Sequence, residues 1–440
     1  MTATEKAATT HADYDDYSLR KVPESEIQPT RDIALARMGF TVSASDLAFG
    51  YAMGLYFSFW MAIWLAFLYS LIVAAVSVLM GVIAIRERTS FALTSRFAFG
   101  REGSRLPSIV MALIIAVFYG YILGITVAVF PQTGLLGRLG YCIGLGVLYF
   151  LISALGFKRG LRWIGRVGVP LMIILAVVAD IATIVHIGGF HVLTSAKPQL
   201  AGHMAVAAMI GLGVSSWLAG AAVTPDLLRF GKGTSAVVTT TIAQYLIGNF
   251  GFNFLGLVIG LGLGSSDLSR AFGLIGIGWL ATVTLVIQSI NVESNELYAA
   301  SLAMSNAVGM RRSVTNVLVA VAGIAVGCYG VSQGIITSFL TFIGYVGYAV
   351  PAIPAIILAD YFIVQRMHYP TGFADLPAVN WRAIAAFVVT LGTNLLLGLG
   401  LHDGFWHALP LIGAVYYLVF SIPQIRLNWR AQRAATTTAA

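Results

Sequence analysis

Apolar runs of about 20 residues recur along this 440-residue chain, separated by short polar gaps. A run of that length crosses the roughly 30 Å hydrocarbon core of a bilayer as one helix. Twelve such segments are predicted, beginning near Arg37, Met61, Leu106, Leu139, Ile164, Met204, Ala236, Phe272, Val314, Ile335, Ala383 and Trp406. Only 10% of the residues are charged, against roughly 25% in soluble domains. The chain therefore reads as an all-α integral membrane protein with 12 transmembrane helices.

The net charge of +8 is not a nucleic-acid signature, because the basic residues sit in the gaps between apolar runs and not on one soluble face. With the N-terminus in the cytoplasm, all of the 26 basic residues except Arg138, Lys197 and Arg270 fall on the inner side, as the positive-inside rule requires. Both termini are then cytoplasmic, and the expected location is a bacterial inner (plasma) membrane. Residues 1–36 carry Asp13, Asp15, Asp16, Glu24 and Glu26 without a signal-peptide core and read as a mostly disordered cytoplasmic tail. Cys142 and Cys328 lie in apolar runs with no partner at ligand spacing, so neither a disulfide framework nor a zinc site is expected.

Three segments depart from ordinary spans. Segment eight contains LVIQSINVESNELY from Leu285 to Tyr298, placing Gln288, Asn291, Glu293, Asn295 and Glu296 in the membrane. Carboxylates at bilayer depth are costly and usually face a bundle interior or a wet cavity. Glu296, one turn from Glu293, shares its cavity or bonds a neighbouring helix. Segments one (GFTVSASDLAFGYAMG, Gly39 to Gly54) and six (GLGVSSWLAGAAVTPD, Gly211 to Asp226) place glycine and serine near mid-membrane, where a helix opens easily. Small residues also serve close helix packing. The two interruptions lie five segments apart, the spacing of two inverted repeats with a midplane site between them. Asp46, in the opened part of segment one, is placed to carry a proton between two sides, to pair with a cationic substrate, or to cap a half-helix. Hydrolase and metalloprotease motifs such as HExxH and GxSxG are absent, and His186, His191, His203, His402 and His407 fall near outer ends without a common centre.

SRFAFG (Ser95 to Gly100), LPS (Leu106 to Ser108), TPDLLRFGK (Thr224 to Lys232), NELYAASL (Asn295 to Leu302) and FLTFIGYVGYAVPAIPAIILADY (Phe339 to Tyr361) resemble the nucleobase:cation symporter-1 family, most closely its cytosine and purine permease branch. The likeness runs from about Gly39 to Tyr369. It implies the leucine-transporter-like fold, with a 5+5 inverted repeat, helices one and six broken, and two peripheral helices. The divisions are then a tail to residue 36, a ten-helix core over 37–368, helices eleven and twelve with their preceding loop over 369–425, and a tail from 426. It also implies cation-coupled uptake of a nucleobase or related N-heterocycle by alternating access. A symporter of the same fold for an amine, amino acid or vitamin precursor is the alternative.

By the same resemblance, the heterocycle lies between aromatic faces supplied by Trp217 and Phe118. The relatives commonly have tryptophan at the second position, so stacking is kept here and an indole donor is lost. Edge recognition falls on Glu293, Ser294 and Ser216, with Glu293 replacing an amide and Ser294 an acid. Sodium-using relatives place two hydroxyls where this chain has Asn291 and Val292. Val292 offers no oxygen, which leaves Gln288 and Asn291 as hard oxygen ligands. Asp46 and Glu293 are the candidates for proton coupling. The coupling ion is thus H+ or Na+, no other cofactor is expected, and the partners are the lipid bilayer and a small heterocycle.

Overall fold

Pro29, with ψ near 136°, stands immediately before the first membrane helix, α1 (Thr30–Thr41); proline suits this position because it has no N–H to leave unsatisfied. The computed structural model describes residues 16–127, 130, 134–265, 268–333, 339–370, 372–400 and 406–438. The predicted tail residues 1–15, the start near Ile335 and His402 lie outside them. Helix α1 stops where Val42 and Ser43 turn out of helical geometry, and α2 (Ala44–Tyr56) begins at once. Ser43 enforces the restart: its Oγ accepts the Asp46 N–H at 3.1 Å, the bond expected of a capping serine. Segment one is therefore divided beside Asp46.

Beyond it run α3 (Phe59–Glu87), the short α4 (Phe91–Phe99), α5 (Arg105–Val127), α6 (Leu135–Ala154) and α7 (Phe157–His186). Segment six supplies α8 (Val206–Ala222) and α9 (Thr224–Leu228). The expected opening at its glycine and serine residues does not occur there. Ser216 Oγ donates to Gly213 O at 2.8 Å and satisfies itself within an intact helix. The interruption comes at Val223, two residues before Pro225, whose ring cannot continue the hydrogen-bond ladder.

Then follow α10 (Gly233–Leu263), α11 (Leu280–Val308), α12 (Arg312–Gln333), α13 (Phe339–Ala349), α14 (Ala352–Ala359), α15 (Trp381–Leu395) and α16 (Leu411–Thr438). Helix α11 starts eight residues later than the predicted Phe272, because a short helix ending at Gly273 and a turn at Gly276 (φ +77°) precede it. Among the described residues, nine helices are long and apolar enough to cross a membrane. Segment one falls outside that count because it is divided, and α11 because it is polar.

Glycine brings α2 against α10. A Cβ on Gly50 would lie 1.9 Å from Asn253 O, and one on Gly256 would lie 2.0 Å from Leu47 O, so the backbones touch as small-residue membrane interfaces do. Arg37, 1% exposed, sits inside the bundle. Its guanidinium donates to Gln244 Oε1, Thr240 Oγ1, Ser77 Oγ and Thr224 Oγ1 at 2.6–3.1 Å. Four oxygens replace the water this buried cation has lost.

The segment before Pro29 is not a loose tail from Asp16 onward. Asp16 Oδ2 accepts the Phe157 N–H at 2.7 Å, and the carbonyls of Asp16 and Tyr17 accept from buried Arg229 at 2.7 and 3.2 Å. These bonds hold Asp16 and Tyr17 at φ +44° and +56°, a region costly for residues with a side chain. Val22 and Gln28 donate backbone N–H groups to Arg88 O and Phe230 O at 2.9 and 2.8 Å, while Glu26 pairs with Lys158. The arm covers the C-terminal ends of α3 and α9 and the start of α7, where terminal backbone N–H and C=O groups lack partners within their own helices. Consequently the division at residue 36 falls inside α1, as the one at 425 falls inside α16.

Candidate binding cavity

The division of segment one presents Asp46 on the first turn of α2, 2% exposed. Its Oδ1 accepts the Trp217 indole N–H at 2.8 Å and Asn249 Nδ2 at 2.9 Å; its Oδ2 accepts Ser43 Oγ at 2.8 Å. Asn253 Nδ2 approaches Oδ1 at 3.5 Å and donates to Tyr69 OH at 2.7 Å. Ser70 Oγ in turn donates to Asn249 Oδ1 at 2.7 Å. One carboxylate thus joins α2, α3, α8 and α10. The two asparagines, four residues apart on one face of α10, were not singled out from the sequence; their i, i+4 spacing inside an apolar run is the signal that marked them.

Beside this network lies a small cavity of about 60 Å³, below the roughly 300–1,000 Å³ of open small-molecule sites, so its walls must part to admit a ring. Asp46, Phe118, Ser216 and Trp217 all line it. The Trp217 ring rests edge-to-face on Tyr245, with centroids 6.4 Å apart, and Phe118, 8% exposed, packs in the same way on Phe342 at 5.0 Å. Both rings are therefore fixed from outside the cavity, leaving aromatic surface toward it.

Segment eight meets the cavity through Val292 and Glu296, four residues apart on one helical face. The other residues named on α11 stand elsewhere. Ser294 is turned to α6, where its Oγ lies 3.4 Å from Tyr149 O. Glu293 is 0% exposed with neither carboxylate oxygen hydrogen-bonded, and lies within electrostatic reach of Tyr119 and Tyr149. Asn291 Nδ2 donates to Ile287 O at 3.0 Å, and its side chain fills the space that a Cβ on Gly168 would need. Gln288 Oε1 and Asn291 Oδ1 are both buried without a donor. Acceptor-only oxygens of this kind suit a hard cation.

A sequence profile of permeases for cytosine/purines, uracil, thiamine and allantoin matches residues 38–420. The chain belongs to this permease family. Cytosine permease of Escherichia coli (strain K12) is 23% identical to it over 420 residues, covering 92% of this permease and 94% of the relative. Among solved structures, Mhp1, a nucleobase-cation-symport-1 family transporter closed around bromovinylhydantoin, superposes with a TM-score of 0.78 at 18% identity, over 94% of this permease and 95% of Mhp1. A Na+-coupled sialic acid symporter follows at 0.68 and 13% identity, over 96% and 95% of the two chains. The permease shares their fold, and as a member of this family it is a multi-pass transporter of the membrane and not an enzyme.

Proposed function

We propose that this permease is a cation-coupled importer of a nucleobase or related N-heterocycle such as cytosine, a purine or hydantoin, working by alternating access. The observation that carries the reading is the cavity between Trp217 and Phe118, with the indole held by Asp46 at the division of segment one. A flat ring gains stacking from aromatic faces that are already oriented and loses little entropy in taking its place. Relatives named for cytosine transport and for bound bromovinylhydantoin support this class of cargo.

The reading takes residues 37–368 as a ten-helix core of two inverted five-helix repeats, followed by two peripheral helices, twelve spans in all. The divided segments one and six face the cargo from opposite repeats, so tilting one repeat against the other opens the cavity to alternate sides. The face carrying Arg88, Lys158 and Arg229 is cytoplasmic by its charge, as are both termini, in a bacterial inner membrane. Ser216, through its remaining lone pairs, meets the edge of the ring. The driving ion is a proton, taken by Asp46 or Glu293, or sodium, taken by the oxygens of Gln288 and Asn291. Ser294 faces α6 and influences the cargo only through Glu293 beside it.

Purified permease in liposomes, with sodium and proton gradients imposed separately and labelled cytosine, adenine, guanine, uracil and hydantoin supplied in turn, tests the whole reading. Uphill accumulation of one heterocycle under one of the two gradients is expected. Flux that neither gradient drives uphill, or competition by aliphatic amines and by no heterocycle, overturns it.

A further inference from the structure

The polar side chains on the cavity wall are not equivalent. Asp46 has both oxygens occupied, by Trp217, Asn249 and Ser43. Ser216 donates to Gly213 O, and Ser45 shares a hydrogen bond with Ser43. Glu296 differs: its side chain is on the wall, and its Oε2 is buried without a hydrogen-bond partner. The described lining includes no lysine, arginine or histidine that could answer this carboxylate. One turn back, Glu293 adds a second carboxyl within electrostatic reach, again with no donor. A buried carboxylate oxygen without a donor carries a desolvation penalty, relieved by a proton or by a donor that the cargo brings.

We propose that Glu296 selects the cargo, favouring a planar heterocycle whose edge carries a ring N–H beside an exocyclic N–H, as in isocytosine or guanine. A carboxylate presents two acceptors in one plane, and two parallel donors match it as a fork. An N–H next to a carbonyl, the edge of uracil, sets its oxygen against the second carboxylate oxygen. This assignment rests on the cavity being the cargo site. It also places recognition one helical turn from Glu293, on the face of α11 that bears Val292.

The test compares matched pairs on the purified permease by equilibrium binding: isocytosine against uracil, which differ in one amino-for-oxo exchange, and guanine against hypoxanthine, which lacks the amino group. The wild-type protein is expected to favour the amino member of each pair by roughly tenfold or more. Glu296→Gln, which replaces one acceptor with a donor, should abolish or reverse the isocytosine preference, whereas Trp217→Ala should weaken both members alike. Equal binding of each pair by the wild-type protein, or an unchanged preference in Glu296→Gln, overturns the proposal while the cargo site stands. If no base binds the wild-type protein, the cargo reading itself fails and this assignment with it. Should Glu296→Gln not fold, the wild-type preferences decide alone.

Discussion

The indole N–H of Trp217 donates to Asp46 Oδ1 at 2.8 Å, so the aromatic wall of the cavity hangs on the first turn of α2, where Ser43 restarts segment one. Orientation of the ring and integrity of the α1–α2 division are one structural property. Asp46→Asn turns an amide N–H toward at least one of the donors now facing the carboxylate. Hydrogen bonds to charged groups contribute about 1.5–3 kcal/mol, so base binding should weaken by about tenfold to a hundredfold. Titration followed by intrinsic tryptophan fluorescence measures both the loss and the change in the environment of Trp217.

Substitutions of the ring separate stacking from anchoring. Trp217→Ala should cost about 1–3 kcal/mol of binding, the range for a base stacked on an aromatic side chain. Trp217→Phe keeps a flat face without the indole donor and should lose less. Isothermal titration of the two variants with the same base distinguishes them; equal losses would show that the N–H matters more than the face.

The close approach of α2 and α10 predicts a contrast between two glycines. Gly50→Ala places a methyl 1.9 Å from Asn253 O, whereas a Cβ on Gly251 meets nothing within 4 Å. Overpacking of this kind costs about 1–3 kcal/mol, while alanine at an open helical position is neutral or stabilising. Thermal unfolding in detergent should show a lower midpoint for Gly50→Ala and an unchanged or higher one for Gly251→Ala.

Arg37 predicts a stability effect remote from any cargo contact. Arg37→Met keeps the bulk but removes the donors that reach Gln244, Thr240, Ser77 and Thr224. Ser77 and Thr224 already bond each other at 2.9 Å and Thr240 Oγ1 donates to Val237 O at 3.4 Å, so the loss falls mainly on Gln244, at about 1–3 kcal/mol for a group left unsatisfied. A reduced yield of folded protein on size-exclusion chromatography checks it.

The sequence made the special segments legible because charge at bilayer depth is expensive, and α11 and Asp46 stood out on that ground alone. It did not make the rotation of α11 legible. Residues 293 and 296 are both acidic and both on one turn, and only the packing of α11 against α5 and α6 decides that Val292 and Glu296 reach the cavity while Glu293 is sealed away from it. In segment six the glycine and serine residues looked like the weak point, yet Ser216 closes its own hydrogen bond inside the helix and Pro225 determines where the ladder stops. The network around Asp46 was hidden for a different reason: the i, i+4 spacing of Asn249 and Asn253 marks a polar face, but not the carboxylate from another segment that is brought against it. Polar residues before Pro29 suggested a chain without partners, but the partners were loop carbonyls and arginines far away in sequence.

That last feature bears on how the molecule can be handled. Asp16 and Tyr17 clasp Arg229 and the Phe157 amide across loops that belong to opposite halves of the chain, in the manner of a buckle. Trimming the protein to its first predicted span, a routine economy when preparing membrane proteins for crystals, would cut that buckle away and release both loops at once.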